Sequence, residues 1–135
     1  MTKKNIRPIP RFATPIIETH CHLDYLMESQ FDSDVDAAVS AGIERLITIA
    51  VSRENLSVVR GLAERSSRVW CTQGIHPHEA GSWSAALLDE VRQGASHDKV
   101  VAIGEIGLDY YYDHADRVAQ RDAFESQLAL AAELN

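Results

Sequence analysis

The sequence predicts an α/β fold of the TIM (β/α)8-barrel type, of which this chain holds about the first four βα units. Short β-rich apolar segments alternate four times with segments whose apolar residues recur at helical spacing. The strand segments are apolar almost throughout, as is typical of strands buried on both faces of a parallel sheet. A complete barrel usually has ~250 residues, so four units account for about half of one.

Each predicted element has a local signal for its position. Strands are expected at residues 16–19, 46–51, 69–73 and 99–103. Helices are expected from Asp32-Ser33 to Gly42, from a Ser52 cap to Arg65, from Ser82 or Ser84 onward, and over 118–134. Residues 1–15 contain three of the four prolines and are expected to form an extended lead-in, which leaves 16–135 as the domain.

Composition excludes several classes of protein. A hydrophobic fraction of 45% indicates a globular chain. A net charge of −7 argues against binding nucleic acid by general attraction to phosphates, but an enzyme can meet phosphates through bound cations. No apolar run approaches the ~20 residues of a membrane span. With no signal segment and two cysteines expected to stay reduced, Cys21 and Cys71, the sequence predicts a cytoplasmic protein.

The first predicted strand ends in two histidines, within the stretch ETHCHLD. His20 and His22 share a face of the strand with Cα atoms ~6.5 Å apart, so both rings can turn toward one ion at ~2.1 Å from each nitrogen. Cys21 points the other way. The spacing alone also fits two histidines hydrogen-bonded in a polar loop. Glu18 and Asp24 are expected to support these histidines rather than bind the ion.

Two acids follow the fourth predicted strand, in the stretch GEIGLDYYYD. Glu105 lies between two glycines, and its carboxylate can bridge two cations ~3.5–4 Å apart or pair with a basic side chain. Asp109 is either a solvated loop acid or a hydrogen-bond partner for groups of the site. The tyrosines at 110–112 either stack on nucleotide bases or pack under a helix.

A second histidine pair, His76 and His78, follows the third predicted strand in the stretch GIHPHEA. These residues can bind a metal, contact a phosphate or cap the following helix. Contact with phosphate is favoured, because rings on neighbouring strands would otherwise have to converge on the same ions. The remaining histidines, His97 and His114, are expected to be solvated in surface loops.

These motifs, in this order and with Gln120, Phe124, Gln127 and Leu128 after them, resemble the TatD-type metal-dependent deoxyribonucleases from about residue 17 to 135. The resemblance implies a TIM barrel with one or two divalent cations at the carboxyl ends of its strands. It implies that His20 and His22 hold the first metal, that Glu105 is a catalytic residue that can bridge both metals, and that His76 and His78 line the substrate site.

The resemblance therefore implies an enzyme that hydrolyses phosphodiester bonds in DNA with a metal-activated water. Mg²⁺, Mn²⁺ and Zn²⁺ are the candidate cations, and the mixed histidine and carboxylate ligands favour metals other than Mg²⁺. Two alternatives stay open: a half-barrel that only associates or binds, and a related hydrolase acting on another ester such as aminoacyl-tRNA. If the natural chain ends at Asn135, self-association is expected, because an open sheet exposes its edges.

Overall fold

The computed structural model describes residues 8–134, which form one parallel sheet with helices packed against it. The strands are β1 (Ile16–Cys21), β2 (Ile43–Thr48), β3 (Val69–Gln73) and β4 (Val100–Ile103). The helices are α1 (Phe31–Ser40), α2 (Leu56–Arg65), α3 (Ala85–Ala95) and α4 (Arg117–Glu133). The strand order is β1-β2-β3-β4 and every pairing is parallel. This confirms four successive βα units of a TIM-type barrel.

The predicted lead-in has no regular secondary structure over residues 8–15, and its first seven residues lie outside the described part of the chain. The prediction for β3 is correct to the residue. β1 extends two residues beyond the expected end, so His20 lies inside the strand. β2 begins at Ile43 and ends at Thr48, earlier than expected at both ends. Pairing with β3 ends at Thr48, and beyond it the Ala50 N–H donates to the Thr72 hydroxyl at 3.0 Å.

The helix boundaries follow the local capping chemistry. The Ser84 hydroxyl accepts from the Leu87 N–H at the start of α3, and the Asp116 carboxylate accepts from two N–H groups at the start of α4. Ser52 and Asn55 form a reciprocal capping box before α2, where a short 3₁₀ turn precedes the helix. Gly42, with φ of +105°, allows the tight turn after α1. Helix ends are therefore encoded by single residues.

The core lies between the sheet and the helices. Fully buried side chains from every layer contribute to it, among them Phe31, Val59, Val69, Val91 and Leu130. The outermost strands differ from β2 and β3, because Ile17 in β1 is 53% exposed and Val101 in β4 is 50% exposed. The helices thus bury side chains of the middle strands, and the two outer strands of the described sheet stay partly exposed.

None of the helices described here is both long enough and apolar enough to cross a membrane.

Candidate functional site

The first histidine pair and Glu105 converge at the carboxyl end of the sheet. One possible ligand atom from each of His20, His22 and Glu105 lies within 4.8 Å of the other two. The His20 Nε2 is 3.5 Å from the Glu105 Oε2, which is longer than a hydrogen bond. Tetrahedral ligands at about 2.1 Å from one ion are separated by about 3.4 Å. The three groups therefore need only a small closure to hold one cation.

Backbone contacts across the sheet place Glu105. Its N–H donates to the Ala50 carbonyl at 2.9 Å, and the Gly104 N–H donates to the Gln73 carbonyl at 3.0 Å. The carboxylate of Glu105 thus stands over the ends of β2, β3 and β4. Close approach of two backbones makes this possible, since a Cβ on Gly74 would lie 2.7 Å from the Gly104 carbonyl carbon.

The first pair is short of protein partners at its ring nitrogens. The His22 Nδ1 is buried and has no hydrogen-bond partner among the described residues. The ring centroids of His20 and His22 are 5.3 Å apart, and the two ring planes are nearly perpendicular. Buried ring nitrogens normally have a partner, so the open Nδ1 of His22, a member of the cluster, is available to a cation.

The supporting acids of the first loop have local partners. The Glu18 carboxylate accepts from the His20 N–H at 2.9 Å, which fixes the strand end rather than the imidazole. The Asp24 Oδ2 accepts from the Asn55 side chain at 3.2 Å. The Asp24 Oδ1 is buried without a partner in the described chain. Cys21 is turned away, and its thiol donates to the Ile47 carbonyl at 3.3 Å.

The second pair occupies the loop after β3, and one ring nitrogen of each histidine is hydrogen-bonded within the protein. The His76 Nδ1 accepts from the His78 N–H at 3.1 Å, and the His78 Nε2 is bonded to the Asp109 carboxylate. The remaining His76 nitrogen, Nε2, lies 3.6 Å from the Glu105 Oε1. The two carboxylate oxygens of Glu105 therefore face one histidine from each pair. Burial lowers the pKa of His76, opposed in part by Glu105.

Asp109 acts as the anchor of the loop after β4. Its Oδ1 accepts from the N–H groups of Tyr111 and Tyr112, both at 3.0 Å. The Tyr112 N–H, followed by His78, lowers the pKa of Asp109 to about 2. The backbone of Asp109 is itself held by the Gln120 side chain at both its N–H and its carbonyl.

Sequence reasoning missed two supports of the site. The buried Gln127 side chain binds both the N–H and the carbonyl of Ile75, and so holds the second histidine loop onto α4. His114 is exposed, as the sequence predicts, but its ring also lies 4.6 Å from that of His78 and is stacked parallel to that of Tyr112. The residue types alone carry no signal for either contact. His97, by contrast, pairs with Glu64 away from the site.

A small cavity of about 280 Å³ opens between the two histidine pairs. Its lining is His22, Tyr25, Val51, His76, His78, Glu79 and Glu105. A larger cleft of about 740 Å³ lies between α2 and α3 and contains none of these residues. The smaller cavity is lined by histidines of both pairs and by Glu105, so we assign the candidate site to it.

Comparison with known proteins gives consistent matches. Residues 17–135 match the family described as TatD-related DNase. The 3′-5′ ssDNA/RNA exonuclease TatD of Musicola paradisiaca is 41% identical over 114 residues, which are 81% of this chain and 43% of that protein. An uncharacterized metal-dependent hydrolase of Bacillus subtilis, YabD, is 30% identical over 124 residues, which are 89% of this chain and 48% of that protein.

Two crystal structures share the fold. The TatD homologue YJJV of Escherichia coli superposes with a TM-score of 0.79 at 32% identity, over 87% of this chain and 46% of that one. A TatD-family hydrolase of Entamoeba histolytica gives a TM-score of 0.78 at 23% identity, over 90% of this chain and 47% of that one. The chain thus spans a little under half the length of the relatives it matches.

Proposed function

Because the chain belongs to the TatD-related DNase family, we propose that it carries the first half of a metal-dependent phosphodiesterase site acting on DNA. The observation that carries this proposal is the convergence of His20, His22 and Glu105 within 4.8 Å. The names of the relatives, an ssDNA/RNA exonuclease and a metal-dependent hydrolase, support it. They favour phosphodiester substrates over the aminoacyl ester considered from the sequence.

In this proposal the residues of the two histidine pairs have different tasks. His20, His22 and Glu105 would together hold a divalent cation. When bound, a divalent cation would polarise a phosphoryl oxygen and lower the pKa of a water molecule. The donor set of two imidazoles and a carboxylate suits Zn²⁺ or Mn²⁺ better than Mg²⁺.

His76 is suited to contact the substrate phosphate. Its Nδ1 accepts a backbone hydrogen bond, so in the neutral ring the proton is on Nε2. That Nε2–H borders the cavity beside Glu105 and can donate to a phosphate oxygen. His78, fixed by Asp109, packs edge-on against His76 with ring centroids 4.3 Å apart and holds it in place.

Metal titration tests the proposal most directly. Isothermal titration of the full 135-residue chain with Mn²⁺ or Zn²⁺ should show binding, which His20→Ala and Glu105→Gln should abolish. His97→Ala is the matched control, because His97 lies away from the cluster and pairs with Glu64. Hydrolysis of a labelled single-stranded DNA with Mn²⁺ provides the second measurement. Metal affinity that survives in both cluster variants contradicts the proposal.

For a chain that ends at Asn135, we also propose self-association through the edges of its sheet. In the described residues β1 and β4 each pair with one strand only. Each also has an aliphatic side chain that is about half exposed, Ile17 in β1 and Val101 in β4. Strand edges of this kind pair with further strands. Sedimentation velocity should show concentration-dependent association that Val101→Lys reduces, and a monomer at every concentration contradicts it.

A further inference from the structure

The loop after β4 presents an aromatic surface at the edge of the candidate site. Tyr110 is the least exposed of the three tyrosines, at 41%, and the Arg117 guanidinium lies over its ring at 4.8 Å. Tyr111 and Tyr112 are 87% and 65% exposed. The three tyrosines therefore do not pack together under a helix, and two of them face outward.

Tyr112 is held rigidly even though it is exposed. Its ring is parallel to that of His114, with 6° between the planes and 6.0 Å between the centroids. The ring of Tyr111 meets that of Tyr112 edge-on, with 4.8 Å between the centroids. The Tyr112 N–H donates to the Asp109 carboxylate. An exposed aromatic ring normally has no such set of supports, and preorganisation of this kind lowers the entropic cost of binding a flat ligand.

The position of Tyr112 connects it to the site. Its ring centroid lies 5.9 Å from that of His78, which in turn packs against His76 beside Glu105. The cavity between the histidine pairs, at about 280 Å³, falls at the lower end of ligand pockets. It can take a phosphate group, and a base attached to that phosphate then has to lie outside the cavity. Tyr112, which contacts the cavity residue His78, offers an exposed ring there.

The charge of the chain favours contact through bases. With a net charge of −7, general attraction to the phosphate backbone contributes little to binding. Stacking on an aromatic ring is independent of charge and accepts every base, because each base has a π-face. Only a base that is unpaired, at the strand end next to the site, can separate from its neighbouring bases and stack on that ring.

From these contacts we propose that Tyr112, backed by His114, is a platform on which a base of a single-stranded nucleic acid stacks next to the candidate site. This rests on the proposed function, since it assigns a substrate-binding residue to the same site. It makes the site selective for unpaired ends rather than for a particular base.

The test uses a short single-stranded DNA with 2-aminopurine near its 3′ end, titrated with the full chain in EDTA so that hydrolysis is prevented. We expect quenching by the wild-type chain and about tenfold weaker binding by Tyr112→Ala, within the range for loss of one stacked base. Tyr112→Phe should bind like the wild type, because it keeps the ring. Tyr111→Ala removes an edge contact with Tyr112 but leaves the Tyr112 ring and its His114 support in place, so it should weaken binding less than Tyr112→Ala does.

The proposal is overturned by no quenching by the wild-type chain, by equal affinity of the wild type and Tyr112→Ala, or by an equal loss in Tyr111→Ala. An oligonucleotide with an abasic site in place of 2-aminopurine should bind the wild type and Tyr112→Ala equally, and a difference there contradicts stacking. Metal titration of the same proteins judges the proposed hydrolase site separately. Tyr112→Ala should bind Mn²⁺ like the wild type, so failure of one proposal is distinguishable from failure of the other.

Discussion

The chain contains two His-X-His pairs at two strand ends, and they differ in what occupies their ring nitrogens. In the first pair the His22 Nδ1 is buried with no partner among the described residues, and the His20 Nε2 faces Glu105 at 3.5 Å. In the second pair the His76 Nδ1 and the His78 Nε2 are already bonded within the protein. The same spacing therefore supports two kinds of site.

The difference originates in the backbone. His20 lies within β1 and His22 directly follows it, so strand geometry sets the relation of their rings. Pro77 is buried between His76 and His78 and begins a 3₁₀ turn, which brings the His78 N–H onto the His76 ring. Strand extension leaves the ring nitrogens available, and a tight turn uses one of them.

The largest expected effect separates the two pairs by metal binding. His22→Ala should lower the affinity for Mn²⁺ or Zn²⁺ by more than the about 10–100-fold that loss of a supporting partner costs. His78→Ala, the matched substitution in the second pair, should lower it far less, because its nitrogen is committed to Asp109. Isothermal titration measures both. Equal losses in the two variants would show that both pairs bind metal.

The next effect concerns the close contact that brings the second pair to Glu105. Gly74→Ala places a Cβ within 2.7 Å of the Gly104 backbone, and overpacking of this kind costs about 1–3 kcal/mol. Gly61→Ala is the control, because its added Cβ meets no atom within 4 Å. In the middle of α2 it should raise stability by about 0.5–1 kcal/mol.

Urea unfolding of the Gly74→Ala and Gly61→Ala variants gives both free energies of unfolding. Stability changes of the same sign in the two would contradict the steric explanation. Mn²⁺ affinity in Gly74→Ala should also fall, since displacement of β4 moves Glu105 away from the first pair.

A smaller effect depends on the acid that fixes the second pair. The pKa of Asp109 is lowered to about 2 by the Tyr112 N–H and by His78. A lowered folded-state pKa stabilises the fold above the ordinary value of 3.8, and this stability is lost as the pH falls from about 4 to about 2. Asp109→Asn should remove that part of the acid sensitivity.

Circular dichroism of the wild type and Asp109→Asn in matched buffers measures this sensitivity. We expect the free energies of unfolding of the two proteins to converge as the pH falls toward 2. A constant difference across that pH range would mean that the carboxylate contributes no charge-dependent stability.

The fold was readable from the sequence because strand burial and helix caps are local signals. β3 is predicted to the residue, and Ser84 alone fixes the start of α3. The predicted β2 lies closer to the carboxyl end than the observed strand, because the apolar run 49–51 is as β-rich as the strand before it. The Ala50 N–H instead donates to the Thr72 hydroxyl, a tertiary contact that no local pattern reveals.

The candidate site was readable only in part. The sequence put His20, His22 and Glu105 at the same end of the sheet, and the structure brings them together. The sequence favours phosphate contact over metal binding for the second pair, but it does not reveal the hydrogen bonds of His76 and His78, because their partners come from a turn and from a distant loop. The contribution of His114 also depends on the loop conformation that Asp109 imposes.

The smallest effect tests the residue between the first two histidines. Cys21→Ala should leave metal binding unchanged, because the thiol is turned toward the Ile47 carbonyl. Burial, with Glu18 and Asp24, raises the pKa of Cys21 to about 11. The thiolate is the reactive form, so iodoacetamide should modify the native chain slowly at neutral pH. A large loss of metal affinity in Cys21→Ala would mean that the thiol joins the cluster, and the strand-face geometry that distinguishes the first pair would then be wrong.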